Sequence, residues 1–106
     1  MASDFKEEID VTVIIPTLNE QESIGSCIQK ALHVFEKYRI RGEIIVSDNS
    51  EDETPNIARS LGATVVTPDR RGYGYAYRYA FKHARGKYIV IGDGDGTYDF
   101  SEMYKL

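Results

Sequence analysis

Hydrophobic and polar positions along this chain follow two different periods in turn. Val11–Ile15 (VTVII) is a compact β-branched run closed by Pro16, the mark of a strand buried on both faces. From Ile24 the spacing changes. Ile24, Cys27, Ile28, Ala31, Phe35 and Tyr38 recur every three or four residues, which predicts an amphipathic helix. Glu20 and Glu22 stand near its start, where acids suit the helix dipole, and Gly42 follows its end. Glu43–Ser47 (EIIVS) predicts a second strand. Asp52-Glu53-Thr54-Pro55 then reads as a helix start, with Thr54 as N-cap and Pro55 at the first helical position. That short helix stops at Gly62, and Ala63–Thr67 (ATVVT) predicts a third strand. In residues 73–85, Tyr73, Tyr75, Tyr77 and Tyr79 alternate as in a strand, whereas Tyr77, Ala80, Phe81 and Ala84 keep helical spacing. The helical period lasts longer, so a helix ended by Gly86 is expected. Lys87–Gly92 (KYIVIG) predicts a fourth strand, and Ser101–Leu106 is expected to open another helix.

Apolar strands alternating with amphipathic helices predict an α/β fold, a three-layer α/β/α Rossmann-like parallel sheet of about four strands with right-handed crossovers. No repeat, low-complexity tract or linker divides the chain, and 106 residues suit one domain. Ligands of such sheets bind beyond the carboxyl ends of the strands, so the loops to read are the four that follow them.

Composition narrows the function classes. The net charge of −4 and pI near 5.1 argue against nucleic acid as a partner. No apolar run approaches the ~20 residues that span a bilayer, and the polar, acidic start (Met1–Asp10) does not resemble a secretory leader. Cys27 is the sole cysteine, so no intrachain disulfide framework or Cys-rich zinc site is expected. A cytoplasmic location follows as the expectation. Arg70, Arg71, Arg78, Lys82, Arg85 and Lys87 form a basic stretch with interleaved tyrosines. Stacking on nucleic acid, approach to an anionic membrane surface, and a solvated helix face over core tyrosines all fit that pattern, and the last explains most of these residues.

The four loops carry the chemistry. Pro16-Thr17-Leu18-Asn19-Glu20 follows the first strand. Asp48 opens the second loop, where one carboxylate can accept hydrogen bonds from a base or ribose. Asp52 and Glu53 in the same loop are assigned to the start of the next helix. Arg71-Gly72-Tyr73-Gly74 in the third loop sits where a diphosphate can reach. It resembles half a dinucleotide fingerprint, but Tyr77 stands at the third glycine and Pro16 follows the first strand, which disfavours a dehydrogenase. The fourth loop holds Asp93 and Asp95, two apart around Gly94. Carboxylates so close repel unless neutralised, and a hard divalent cation, Mg²⁺ or Mn²⁺, takes such oxygen ligands. The plain alternative is an Asp-Gly turn. A calcium EF-hand fails, because Tyr98 and Tyr104 occupy the positions that need glycine and glutamate. His33 and His83 lie far apart within helices and receive no catalytic role, and Cys27 reads as a core residue.

Taken together, VTVIIPTLNE (Val11–Glu20), EIIVSDNSEDET (Glu43–Thr54), RRGYGYAYRYAF (Arg70–Phe81) and KYIVIGDGDGTYDF (Lys87–Phe100) resemble the amino-terminal half of inverting family-2 glycosyltransferases of GT-A fold. The nearest look is to the dolichyl-phosphate and other polyprenyl-phosphate sugar synthases. The resemblance implies strand order 3-2-1-4. It implies a nucleotide-sugar pocket lined by Pro16, Leu18, Glu20, Asp48, Arg71 and Gly72, with Asp93 and Gly94 at the diphosphate and Asp93 and Asp95 on Mg²⁺ or Mn²⁺. Leu18 stands where the family often has an aromatic residue, and Gly94 where alanine is commoner. The implied reaction is inverting, metal-assisted transfer from a UDP- or GDP-sugar to an acceptor, a polyprenyl phosphate in the nearest relatives, at the cytoplasmic membrane surface. The acceptor half and its catalytic residues would lie past Leu106, so the 106-residue chain is expected to bind donor without turnover. An uncovered fourth strand in the 3-2-1-4 order would also favour a homo-oligomer through that sheet edge. The competing readings are a non-catalytic nucleotide-binding or interaction module, and a nucleotidyltransferase, which usually carries a Gly-rich phosphate loop that PTLNE does not offer.

Overall fold

The computed structural model describes residues 8–92 and 98–105. Its elements are β1 (Val11–Thr17), α1 (Ile24–Tyr38), β2 (Gly42–Asp48), α2 (Thr54–Ser60), β3 (Thr64–Val66), α3 (Tyr73–Phe81), β4 (Tyr88–Gly92) and β5 (Tyr98–Lys105). The sheet order is β3-β2-β1-β4-β5. The first four strands are parallel in the expected 3-2-1-4 arrangement. Val13, Ile14 and Ile15 are wholly buried because helices cover both faces of β1. Val13, Ile15 and Val46 pack with Ile24, Cys27, Ile28, Ala31 and Phe35 of α1 and Ala58 of α2. Ile14, Ile45 and Ile89 pack with Ala80 of α3 on the opposite face. The expected three layers are present.

Several local expectations shift. β1 runs through Pro16 to Thr17 rather than stopping at Ile15. The missing N–H is tolerated because pairing with β4 ends at Ile14, leaving Pro16 with β2 alone as neighbour. Helix α1 ends on Arg39 in the left-handed region (φ 55°), not on Gly42. Gly42 begins β2, where a Cβ would meet the Phe35 ring at 2.3 Å. Thr54 is the first residue of α2 rather than its N-cap, with Pro55 in the same first turn. Its hydroxyl is engaged between loops instead, accepting the Glu20 N–H at 2.9 Å and donating to Asp52. Asp52 does serve the helix start, as expected, accepting the Thr54 N–H at 2.9 Å. α3 ends at Phe81 rather than continuing to Gly86, so His83 lies beyond it. Tyr75 and Tyr79 are half-buried surface rings 6.2 Å apart rather than core residues, with the His83 ring 5.6 Å from Tyr79.

The largest correction concerns the end of the chain. Ser101–Lys105 belongs to a strand, not a helix. β5 pairs antiparallel with β4, Ile89 opposite Tyr104 and Gly92 opposite Tyr98. Tyr98, Phe100 and Tyr104 fall on a two-residue period, and the free side of β4 offers unpaired backbone groups to such a segment. β4 is therefore flanked on both sides, which removes the exposed edge on which a homo-oligomer was expected.

At the end of the sheet away from the strand C-termini, Thr12 is fully buried between two partners. Its hydroxyl donates to Glu43 Oε2 at 2.6 Å and accepts the Gly86 N–H at 2.8 Å. Glu43 also holds the Arg85 side chain at 3.0 Å, fixing the entry to β4 against β1 and β2.

Candidate functional site

The carboxyl ends of β1 and β2 stop side by side, with Thr17 and Asp48 as their last register pair. Asp48 is 3% exposed. Its Oδ1 accepts hydrogen bonds from the hydroxyls of Thr17, at 2.6 Å, and Ser50, and its Oδ2 accepts the Ser50 N–H at 3.0 Å. Three donors on one buried carboxylate fix its direction.

Helix α3 approaches this edge from above β1 and β2. Ser47 donates to the Ala76 carbonyl at 2.9 Å, which pins the first turn of α3 to β2. The Asn49 amide donates to the Pro68 carbonyl at 2.8 Å, which ties the loop before α3 to the loop after β2. Gly72 has φ 121°, a conformation that L side chains rarely adopt, and leads directly into α3. Farther along that loop, Tyr75 donates its hydroxyl proton to Asp69 while Arg70 stacks over the Tyr75 ring at 4.9 Å. The Tyr75 bond, aided by the nearby Arg70 and Lys82 charges, holds the Asp69 carboxyl below its ordinary range. The same bond pushes the Tyr75 phenol up.

Between these elements lies a cleft of about 110 Å³. Of the residues expected at a binding site, Pro16, Leu18, Arg71 and Gly72 line it. Asp48 is not among the lining residues but is hydrogen-bonded to Thr17, which is. Glu20 is not among the lining residues. Its carboxylate accepts the Leu18 N–H at 3.2 Å and braces the loop that carries Leu18. Thr17, Asn49, Tyr73 and Ala76 also line the cleft, without having been assigned from the sequence. Thr17 could have been flagged by the register, which sets it opposite Asp48. Arg71 is engaged by Glu51 at 3.2 Å, both side chains well exposed.

Asp93, Gly94 and Asp95 lie outside the described residues. β4 delivers the chain to Gly92 in parallel with β1, hence toward the same edge. Among the described residues, no three His, Cys, Asp or Glu side chains gather to hold a metal ion, and no helix is long and apolar enough to cross a membrane.

Comparison with known proteins gives consistent results. The family model described as Glycosyl transferase family 2 matches residues 12–106. The chain is 51% identical over 96 residues to the low-salt glycan biosynthesis hexosyltransferase of Haloferax volcanii, covering 91% of this chain and 23% of that protein. It is 33% identical over 97 residues to the dolichyl-phosphate hexose transferase of the same organism, covering 92% of this chain and 41% of that protein. Among solved structures, mannosyl-3-phosphoglycerate synthase from Rubrobacter xylanophilus superposes with TM-score 0.76 at 27% identity, over 92% of this chain and 38% of that one. Glucosyl-3-phosphoglycerate synthase from Mycobacterium tuberculosis, solved with Mn²⁺, UDP and glucosyl-3-phosphoglycerate, superposes with TM-score 0.70 at 29% identity, over 81% of this chain and 33% of that one. The chain thus spans less than half the length of each of these four proteins.

Proposed function

The chain belongs to glycosyl transferase family 2, and from that premise we propose that it forms the nucleotide-sugar-binding part of a hexosyltransferase working at the cytoplasmic membrane surface. The donor is a UDP- or GDP-linked sugar and the acceptor a polyprenyl phosphate. The observation that carries the reading is the Asp48 carboxylate, buried, fixed by Thr17 and Ser50, and bonded to Thr17, which lines a cleft at the carboxyl edge of the sheet. Such a carboxylate accepts N–H or O–H bonds from a base or ribose. Pro16 and Leu18 supply apolar contact to the nucleoside. Arg71, which lines the cleft, and the first N–H groups of α3, which begins beside it, are the partners proposed for the diphosphate.

Asp93 and Asp95 offer oxygen donors only, a set that suits Mg²⁺ or Mn²⁺. When bound, the cation would offset the charge that develops on the diphosphate leaving group. An acceptor phosphate oxygen is already anionic and forms its bond to the anomeric carbon as the bond to the diphosphate breaks, inverting that centre with little need of a general base.

A thermal-shift panel of UDP, GDP and their sugars, with and without Mn²⁺, tests the reading. Saturating nucleotide at ~100 times its dissociation constant adds ~2.7 kcal/mol to the stability of the fold. The absence of any shift across the panel would overturn the proposal. Nucleotide binding with no transfer to polyprenyl phosphate, even when an acceptor half from a relative is joined to the chain, would select the non-catalytic module instead.

A further inference from the structure

We infer that Tyr73 is the aromatic wall of the nucleobase subsite, an assignment that rests on the cleft taking a nucleotide. Tyr73 is the first residue of α3, lines the cleft, and is 57% exposed. Leu18 lines the same cleft from the β1 side and is 45% exposed. Two exposed apolar side chains from different elements thus bound one narrow opening. Ala76, one turn along α3, is small and buried, so the helix keeps its first turn close to the sheet while leaving the Tyr73 ring at the rim. Polar lining groups come from Thr17 and Asn49. A cleft lined by both exposed apolar side chains and polar groups suits a flat heterocycle presented face-on to a ring and edge-on to donors and acceptors. A neutral phenol adds little to a diphosphate, which is the task of Arg71, but stacks on any base. Leu18, being aliphatic, has no π-face to offer.

The chain contains no tryptophan, so Tyr73→Trp introduces a single indole reporter. The variant is titrated with UDP, GDP and inorganic pyrophosphate, and calorimetry with the same three ligands compares wild type, Tyr73→Ala and Tyr73→Phe. Thermal melts establish that each variant is folded. Tyr73→Ala is expected to bind both nucleotides about tenfold more weakly, in line with the loss of one stacked base, and pyrophosphate equally well. Tyr73→Phe is expected to stay within about twofold of wild type, because the ring face is retained. The indole emission should be quenched by the nucleotides and not by pyrophosphate. Undiminished nucleotide binding by Tyr73→Ala, or an equal loss for nucleotide and pyrophosphate, overturns the assignment while leaving the nucleotide site intact. A wild-type chain that binds neither nucleotide overturns both.

Discussion

The Thr17 hydroxyl lies 2.6 Å from Asp48 Oδ1 and donates to it, across the last register pair of two parallel strands. This bond makes the aim of the carboxylate a property of the sheet rather than of a loop. Thr17→Val, which keeps the side-chain shape, should therefore lower both stability and nucleotide affinity. The loss of one hydrogen bond to a buried charge is worth ~1.5–3 kcal/mol. Urea denaturation reads the first effect and calorimetry with UDP or GDP the second. An unchanged affinity would separate Asp48 from the ligand.

Asp48→Ala and Asp95→Ala should fail differently. Asp48→Ala weakens binding of the whole nucleotide, with metal or without, and also leaves the Thr17 and Ser50 donors without their shared acceptor. Asp95→Ala should abolish only the Mn²⁺-dependent part and leave the melting temperature of the free chain in place. Thermal shifts of each variant with and without Mn²⁺ distinguish the two patterns. Unfolding of Asp95→Ala would make that turn structural.

Gly86→Ala is expected to destabilise the fold without touching the cleft. A Cβ there would lie 2.5 Å from the Thr12 backbone nitrogen and 2.7 Å from its hydroxyl. The obstacle is backbone of the central strand, which cannot swing aside as a side chain can. Overpacking of this kind costs ~1–3 kcal/mol. A melting curve several degrees below wild type, at unchanged affinity for UDP or GDP, is the expected result.

The Asp69–Tyr75 pair predicts pH dependence on two limbs. Asp69 has a folded pKa below the ordinary 3.8, chiefly through the Tyr75 hydrogen bond. Its contribution is present above that ordinary value and fades as pH falls through the folded one. Tyr75 has a folded pKa above 10.0, chiefly through the same bond. Its contribution is complete below pH 10.0 and fades as pH rises through the folded value. Tyr75→Phe should flatten both limbs. Urea midpoints followed from acid to alkaline pH test this, and limbs of unchanged slope would show that the bond does not persist in solution.

Arg71 can serve a diphosphate only by exchanging Glu51 for it. Exposed ion pairs are worth ~0.2–1 kcal/mol, so Glu51→Gln should tighten diphosphate binding by up to about fivefold. The gain should shrink as salt is added. Calorimetry with UDP against uridine is the measurement, and a gain of equal size for uridine would place Arg71 away from the phosphates.

Much of the fold could be read from the chain because its strongest signals are local. VTVII can only be a strand covered on both faces, and the Ile24–Phe35 spacing places one stripe of α1 on the sheet. The failures share one physical origin, which is partners distant in sequence. Thr54 has every local property of an N-cap, yet its hydroxyl accepts the Glu20 N–H from the loop after β1. Ser101–Lys105 joins a strand because β4 has a side to be paired, which no window of a few residues reveals. Of the residues that line the cleft, Arg71 and Gly72 were expected from loop position, and Pro16 and Leu18 only through the family resemblance. The bond from Thr17 to Asp48 was not, because it exists only in the register of β1 against β2. Asp93 and Asp95 stand on sequence alone.

The position of β1 in the sheet also sets an order of assembly. Val11 must pair with Tyr88 on one side and with Gly42 on the other. During synthesis the second partner emerges early and the first only some 46 residues later. Until then VTVII, three of whose apolar residues end up wholly buried, keeps one side unpaired. Contacts so far apart in sequence slow folding, and an unpaired β-branched strand is a template for other chains. Nascent chains that stall before residue 88 are thus the ones exposed to aggregation, at the strand that later carries Pro16 and Thr17 to the cleft.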